Sequence, residues 1–405
     1  MKLYPYQRQA VDYHKAHHYS LNGSEMGLGK TIMSLTTAKE TGNKALVVGP
    51  AFLKKTWEDE AEKIGVRIHF VSYSMINRVT VLEASKFNFW IADEVHALKN
   101  PTAQRTQAFY SLLKACKPEY FIGMSGTPLK NRVMDLWTLI AFCMQNPKDT
   151  SGAKLEGELT KYHAFARHFC NVQELKIRGR RIPKYTTVKD EKIPELKGLL
   201  KDKFIRFQVK DVLKDLPAIT RKFVPLDIIS DSFDDELLDT FEAYATGHKA
   251  NSTAKRQSAL IKSGATIEYC KSLIDGGVGQ LLIFTDHVES AQALKAVDPD
   301  TKVITGATPM LDRQNAVVAF QEGRIKVIVA TIGSMSVGVT LTAANHVVFN
   351  DMSWVPSDNM QAEKRVHRIG QGKPCFAHYI ESTPTDRYIT KTLVAKMDTI
   401  NKVIE

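Results

Sequence analysis

Apolar positions along this chain fall into two kinds of pattern that alternate. Short continuous apolar runs, LVVGP (46–50), FVSY (70–73), FWIADE (89–94) and YFIGMSGTP (120–128), each end in polar or Gly-rich residues. Between them lie amphipathic stretches such as LKKTWEDEAEKI (53–64). Short apolar runs bounded by turn signals predict buried strands, and the 3.6-residue pattern between them predicts helices, so the alternation predicts βαβ units on a parallel sheet. The same alternation returns with QLLIFTD (280–286), KVIT (302–305), KVIVAT (326–331) and HVVFND (346–351). The expected fold class is therefore α/β, with two parallel-sheet halves at 1–145 and 263–405. The stretch between, 146–262, is rich in charged residues and weak in strand signal, and predicts a mostly helical insertion with an interlobe connection. Within it, 146–158 and 244–258 are soft enough to predict loops.

Composition narrows the class. The 405 residues are 43% hydrophobic and 24% charged, which suits a globular chain with two or three cores. No stretch approaches the roughly 18 consecutive apolar residues of a membrane span, and the N-terminus lacks the apolar region of a signal peptide. The expectation is an intracellular protein without a membrane partner. Five scattered cysteines form no CxxC, so reduced thiols are expected rather than a zinc site or disulfides. His14, His17 and His18 lie close together without a carboxylate or Cys cluster, and predict a solvated helix face. The net charge of +11 suits a polyanionic partner, but many basic proteins bind none.

Candidate chemistry changes the picture more. SEMGLGKT (24–31) fits the phosphate-loop pattern GxxxxGK[ST] except that Ser24 stands at the first Gly position. Met26, Gly27, Leu28 and Gly29 would curl so that backbone N–H groups face an anion. Lys30 would then meet the β- and γ-phosphates of ATP and Thr31 would ligate Mg²⁺, with the following helix aiming its positive end at the phosphates. IADEVHALKN (91–100) supplies an acidic pair at another strand end. Asp93 would hold Mg²⁺, and Glu94 would orient or deprotonate the attacking water.

A phosphate loop with DEVH (93–96) and MSGTP (124–128) resembles the helicase-like ATPases of superfamily two, and more finely the Swi/Snf-type DNA translocases. SEMGLGKT is similar to that family's motif I, DEVHALKN (93–100) to motif II, SGTPLKN (125–131) to motif III, LIFTDH (282–287) to motif IV, TIGSMSVGVTLTAA (331–344) to motif V and QAEKRVHRIGQ (361–371) to motif VI. FARHFCN (165–171) and FIRFQVKDVLKDLP (204–217) resemble the annealing-helicase, fork-remodelling branch. The resemblance implies two RecA-like lobes, with the C-terminal helix closing the core against lobe one. It implies adenine recognition by Gln7, nucleotide contacts from Gly338 and Gln361, arginine fingers at Arg365 and Arg368, and coupling through His96, Ser125 and Thr127. Contacts to the nucleic acid are implied for Lys54, Lys55, Lys130, Asn131, Arg132, Thr305, Gly306, Arg313, Thr331 and Thr340. The basic run KIRGRRIPK (176–184) is either a grip on a second strand or a solvated loop.

The implied activity is a DNA-dependent ATPase that steps along duplex DNA as it hydrolyses ATP with Mg²⁺ in an interlobe cleft. Duplex or forked DNA is the implied partner, forks, junctions or DNA-bound proteins the implied targets, and a monomer the implied state. The compartment would be the cytoplasm in a bacterial or viral host and the nucleus in a eukaryote. One rival is a strand-separating DNA or RNA helicase of the same superfamily. The other, of a different class, is a DNA-binding adaptor switched by ATP without turnover.

Overall fold

The computed structural model describes residues 2–42, 44–126, 133–146, 157–177, 180–213, 215–227, 248–335 and 339–404. The strands are β1 (Tyr19–Asn22), β2 (Lys44–Gly49), β3 (Arg67–Ser72), β4 (Phe89–Asp93), β5 (Tyr120–Met124), β6 (Cys170–Ile177), β7 (Arg180–Val188), β8 (Phe204–Ile205), β9 (Ile219–Val224), β10 (Leu281–Thr285), β11 (Lys302–Ile304), β12 (Val327–Thr331), β13 (His346–Phe349) and β14 (Cys375–Ile380). The chain forms two units: the first holds residues up to Lys214 and those from Lys396 onward, and the second holds Asp215–Ala395.

The first unit is built on a parallel sheet in the order β3-β2-β4-β5-β1-β8. Its central strands are covered on both faces, which is why they read as unbroken apolar runs. Alternate residues go to opposite sides: Leu46 and Val48 join one core with Trp90, Phe109 and Phe142, while Ala45 and Val47 join another with Trp57 and Ile91. The second unit repeats the plan in the order β11-β12-β10-β13-β14-β9, all parallel. There Leu282 and Phe284 face one core, and Leu281 and Ile283 the other. Ile400 and Val403, near the end of helix Pro384–Ile404, are buried in the core of the first unit.

The middle of the chain differs from expectation. Instead of a separate helical insertion it divides between the units. Helix Tyr162–Phe169 and the antiparallel hairpin β6–β7 belong to the first unit, and β8 extends the first sheet. β9 extends the second sheet by pairing with β14. β8 is only two residues long and β9 carries Arg221 and Lys222, so neither has an apolar run to announce it; sheet-edge pairing makes them strands. The loop expected over 244–258 is helical from His248, within helix His248–Ile261. Lys255 on this stretch is buried against Asp286, and Lys262 just past the helix against Asp386, partners that appear only in the tertiary structure. Of the other expected loop, 147–156 lies outside the described residues.

β1 carries two polar residues, Ser20 and Asn22, yet all four of its positions are buried. His14 is their partner, and it is fully buried, which corrects its assignment to a solvated face. His14 Nδ1 lies 2.7 Å from Ser20 Oγ, and Asn22 Nδ2 lies 3.1 Å from His14 Nε2. Asn22 Oδ1 then accepts from the Ser24 backbone N–H at 3.1 Å, at the mouth of the phosphate loop. Since Asn22 donates to Nε2, the ring proton sits on Nδ1 and is given to Ser20. On its other side the loop is zipped to the segment after β8: Glu25 N–H donates to Phe207 O at 3.0 Å, and Phe207 N–H donates to Ser24 Oγ at 3.2 Å. Ser24 thus has a structural task of its own.

Burial lowers the His14 pKa to about 3, against a usual 6.5. Between these values the unfolded chain binds a proton that the folded chain refuses, so His14 makes stability fall as pH falls through that window, by up to about 1.4 kcal/mol per pH unit. Replacing it by Gln removes this increment. Urea unfolding at pH 7 and pH 5 is expected to show the gap between parent and His14→Gln narrowing at the lower pH. Ser24→Ala leaves the Phe207 N–H without its acceptor and is expected to cost about 1 kcal/mol in the same assay at pH 7.

Candidate functional site

β1 ends at Asn22, and the chain turns through 23–29 into helix Lys30–Thr41. Gly27 and Gly29 have φ of +82° and +80°, in the left-handed region where a side chain is strained. A Cβ on Gly29 would lie 2.6 Å from Gln7 Nε2, so the loop is closely backed. Gln7 Nε2 and the Tyr6 hydroxyl both donate to Leu28 O at 3.2 Å, and Gln7 Oε1 accepts from the Tyr4 N–H at 3.0 Å. The Gln expected at an adenine therefore also braces the loop that would hold the phosphates. Lys30 Nζ donates to Ser24 O at 2.8 Å and Glu25 O at 3.1 Å, folding its ammonium back over the loop. Burial lowers the Lys30 pKa, while Glu94, Asp93 and Glu25 pull it back up.

The acidic pair sits at the end of β4, one strand removed from β1 across β5. Asp93 Oδ2 accepts from the Trp57 indole N–H at 2.8 Å and Oδ1 from the Glu94 N–H at 2.9 Å. Its backbone carbonyl accepts from the Tyr73 hydroxyl at 2.6 Å. Burial and the neighbouring Glu94 charge push its carboxyl above the usual range. Glu94 has φ of +50°, strained for a residue with a side chain, and turns its carboxylate toward motif III. Its Oε2 accepts from Ser125 Oγ at 3.1 Å and lies 3.2 Å from His96 Nδ1, which is itself 2.9 Å from Ser125 Oγ. Burial pushes the Glu94 carboxyl up, but His96, Lys30 and Ser125 together outweigh it and keep it ionised. A Cβ on Gly126 would lie 2.6 Å from Met26 Cγ and 3.3 Å from Lys30 Nζ, so motif III packs directly on the phosphate loop.

The residues expected at the nucleotide in the first unit are thus brought together where they are described. Met26, Gly27, Leu28 and Gly29 form the loop, Lys30 and Thr31 start the helix after it, and Gln7 braces it from helix Pro5–His17, while Asp93, Glu94, His96 and Ser125 form one hydrogen-bonded group beside it. The donor chemistry fits a hard divalent cation: Thr31 offers a hydroxyl, and Asp93 keeps lone pairs beyond those taken by Trp57 and Glu94. Trp57 and Tyr73, which orient Asp93, are site residues the sequence reading did not single out. Trp57 is marked by its spacing with Ala61 and Ile64, the buried stripe of helix Lys54–Ile64, but nothing local says that its indole N–H reaches a carboxylate 36 residues away. Thr127, Lys130, Asn131, Arg132 and Gly338 lie outside the described residues.

In the second unit, Gln361 lies on helix Pro356–Glu363 and is buried, as is Arg365, whose Nη1 donates to Val339 O at 3.4 Å. The half-buried Arg368 guanidinium has no partner among the described residues, and burial lowers its pKa, a setting that favours an incoming anion. Arg313, expected on a nucleic-acid phosphate, also holds two loops of its own unit together. It donates to Ser334 O at 2.8 Å and to Thr305 O at 3.1 Å, tying the loop after β11 to the loop after β12. The Thr305 hydroxyl accepts from Ala307 N–H within the same turn, while Gly306 is exposed. Thr331 is buried at the end of β12, and Thr340 is half-buried. In the first unit, Lys54 and Lys55 are exposed and faced by Glu58 and Asp59 at 3.8 and 2.7 Å. Arg181, in the basic run on β6–β7, lies 3.3 Å from Glu174.

Comparison with known proteins agrees with this layout. Residues 61–263 match the model of the SNF2-related domain, and 265–370 match that of the helicase conserved C-terminal domain. The DNA annealing helicase and endonuclease ZRANB3 of Mus musculus is 28% identical over 95% of the chain, which spans 39% of that relative. The SWI/SNF-related matrix-associated actin-dependent regulator of chromatin subfamily A-like protein 1 of Xenopus tropicalis is 27% identical over 99% of the chain, which spans 45% of it. The chain is thus less than half the length of either relative. The Sulfolobus solfataricus SWI2/SNF2 ATPase core in complex with dsDNA is 21% identical, with a TM-score of 0.43 over 100% of this chain and 97% of that one. With one family model covering half of its residues and a second following directly on it, the chain belongs to the SNF2-related family of helicase-like ATPases.

Proposed function

We propose that this chain is a DNA-dependent ATPase that couples ATP hydrolysis to translocation along duplex DNA, with forked DNA or DNA junctions as its targets. The observation that carries the reading is the group made by Lys30, Asp93, Glu94, His96 and Ser125 at the carboxyl ends of β1, β4 and β5. Lys30 supplies a half-buried positive charge where phosphate oxygens gather, and low local dielectric strengthens that attraction. Glu94, kept ionised, is oriented by Ser125 and His96 to align a water on the γ-phosphate. Mg²⁺, held by Thr31 and Asp93, would neutralise phosphate charge. Arg365 and Arg368 supply the fixed, permanently charged forks that suit the spread charge of a phosphoryl transition state.

Support for DNA as the partner comes from two sides. One relative is named for annealing DNA, and the net charge of +11 favours a polyanion. The exposed Lys54, Lys55 and Gly306 suit sequence-independent contact with phosphates. The His96–Ser125–Glu94 group joins motifs II and III, so a strand held at motif III would be felt at the carboxylate that aligns the water. Coupling through a shared hydrogen bond of this kind makes hydrolysis depend on the track.

Phosphate release measured against duplex, forked and single-stranded DNA and RNA tests the proposal. Forked or duplex DNA is expected to stimulate most, with Lys30→Ala silent on every effector. Arg368→Ala is expected to lower kcat by about 10³-fold or more while ATP still binds. Displacement of a third strand from a triplex is expected only with active enzyme. Preference for RNA would overturn the translocase reading in favour of a strand-separating helicase. ATP binding without release on any effector would overturn it in favour of an adaptor.

A further inference from the structure

Motif VI ends helix Pro356–Glu363 and continues as a turn through Arg365 and Arg368. Two side chains in that stretch are committed elsewhere. Glu363 is only 1% exposed, and its carboxylate accepts from Arg221 Nε at Oε1 and from Arg221 Nη2 at Oε2, both at 2.7 Å. The Tyr379 hydroxyl adds a third bond to Oε1 at 2.6 Å. His367 is 6% exposed, and its Nε2 lies 2.8 Å from Pro217 O. A carbonyl can only accept, so the ring proton is on Nε2, which leaves Nδ1 to face Lys364 Nζ at 3.3 Å.

Both external partners come from one short stretch. Pro217 and Arg221 lie just before and within β9, the first strand of the second unit, shortly after the chain leaves the first at Lys214. They meet residues 150 and 142 positions away. β9 is an edge strand, held in register on β14 with Ala377 opposite Arg221 and Tyr379 opposite Phe223. The two grips differ in kind, a bidentate ion pair and a neutral hydrogen bond, and they fall on either side of Arg365. Within the turn, Arg365 O accepts from Leu341 N–H at 2.9 Å, and the N–H groups of Val366 and His367 both reach Glu363 O at 3.2 Å. A shift of Glu363 would therefore carry the backbone of both arginines with it.

We infer that Arg221 and His367 are positioning residues that hold the motif VI turn in register, Arg221 through the Glu363 carboxylate and His367 through the Pro217 carbonyl, so that the segment entering the second unit sets where Arg365 and Arg368 point. The inference rests on the role proposed above for those two arginines. A buried carboxylate that loses its arginine must shed its charge or move, and a misplacement of about 1 Å is enough to cost on the order of 10²-fold in rate. The phosphate loop belongs to the first unit and is untouched, so the loss falls on kcat rather than on KM.

The test uses the full chain with saturating forked DNA, measuring kcat, KM for ATP and Tm. Arg221→Met is expected to lower kcat at least about tenfold with KM for ATP within about twofold of the parent. Arg221→Met combined with Glu363→Gln removes both charges and leaves the Gln oxygen to accept from Tyr379. It is expected to recover kcat to within about threefold of the parent, which a merely structural brace would not explain. His367→Gln keeps a donor for Pro217 and is expected to retain more kcat than His367→Ala. Arg368→Ala is the control. If it is inactive while Arg221→Met and His367→Ala keep parental kcat below their Tm, the positioning roles are overturned and the arginine reading stands. If Arg368→Ala keeps parental kcat, the arginine reading falls and takes the inference with it. A drop in Tm without a change in kcat, or a double variant as slow as Arg221→Met, also overturns it.

Discussion

An ammonium ion withdrawn from water loses solvation that nearby anions and carbonyls must replace. Lys30 is where the first unit accepts that cost. Two loop carbonyls accept hydrogen bonds from it, and the ionised Glu94 and the Asp93 beside it offset its charge. Each of those groups must be held in turn. The loop carbonyls face inward only because Gly27 and Gly29 turn the backbone through the left-handed region. Asp93 is fixed by an indole and Glu94 by a hydroxyl and an imidazole. The packing of Gly126 against Met26 follows from the same demand, because a side chain there would displace the loop that carries the ammonium.

Polar groups behind the site are paired with equal care. His14, Ser20 and Asn22 form a buried chain that ends on the Ser24 N–H, and the segment after β8 closes the loop from the other side. Ser24 stands where the phosphate-loop pattern calls for Gly. Its hydroxyl accepts from the Phe207 N–H, so the departure serves the connection to β8 and leaves the groups that meet phosphate in place.

The second unit uses charge differently. Lys255, on helix His248–Ile261, and Lys262, just past its end, are buried and paired with Asp286 and Asp386, and Glu363 is buried within motif VI and paired with Arg221. Breaking such a pair on one side leaves an uncompensated charge, which makes each pair a strict specifier of geometry even where its net contribution to stability is small. Arg313 belongs with them. Its bonds to Ser334 O and Thr305 O make it a tie between two loops.

Much of this was written in the apolar pattern. β2, β4, β5, β10, β12 and β13 are strands covered on both faces, so their sequences are unbroken apolar runs with little alternative. The glycines, Lys30, Thr31 and the DE pair were equally plain, because phosphate binding restricts residue type at fixed spacing. β1, β8 and β9 were not, since polar or very short segments become strands only when a neighbouring edge and distant partners accept them. The helical 248–258 stretch was hidden for the same reason: its buried Lys255 is unfavourable until Asp286 arrives from elsewhere in the chain. Local sequence determined which residues could do the chemistry. Tertiary structure alone decided which of them are free to do it, because a hydrogen bond or ion pair spanning more than a hundred residues, such as Arg221 to Glu363 or Phe207 to Ser24, leaves no trace in the pattern around either end.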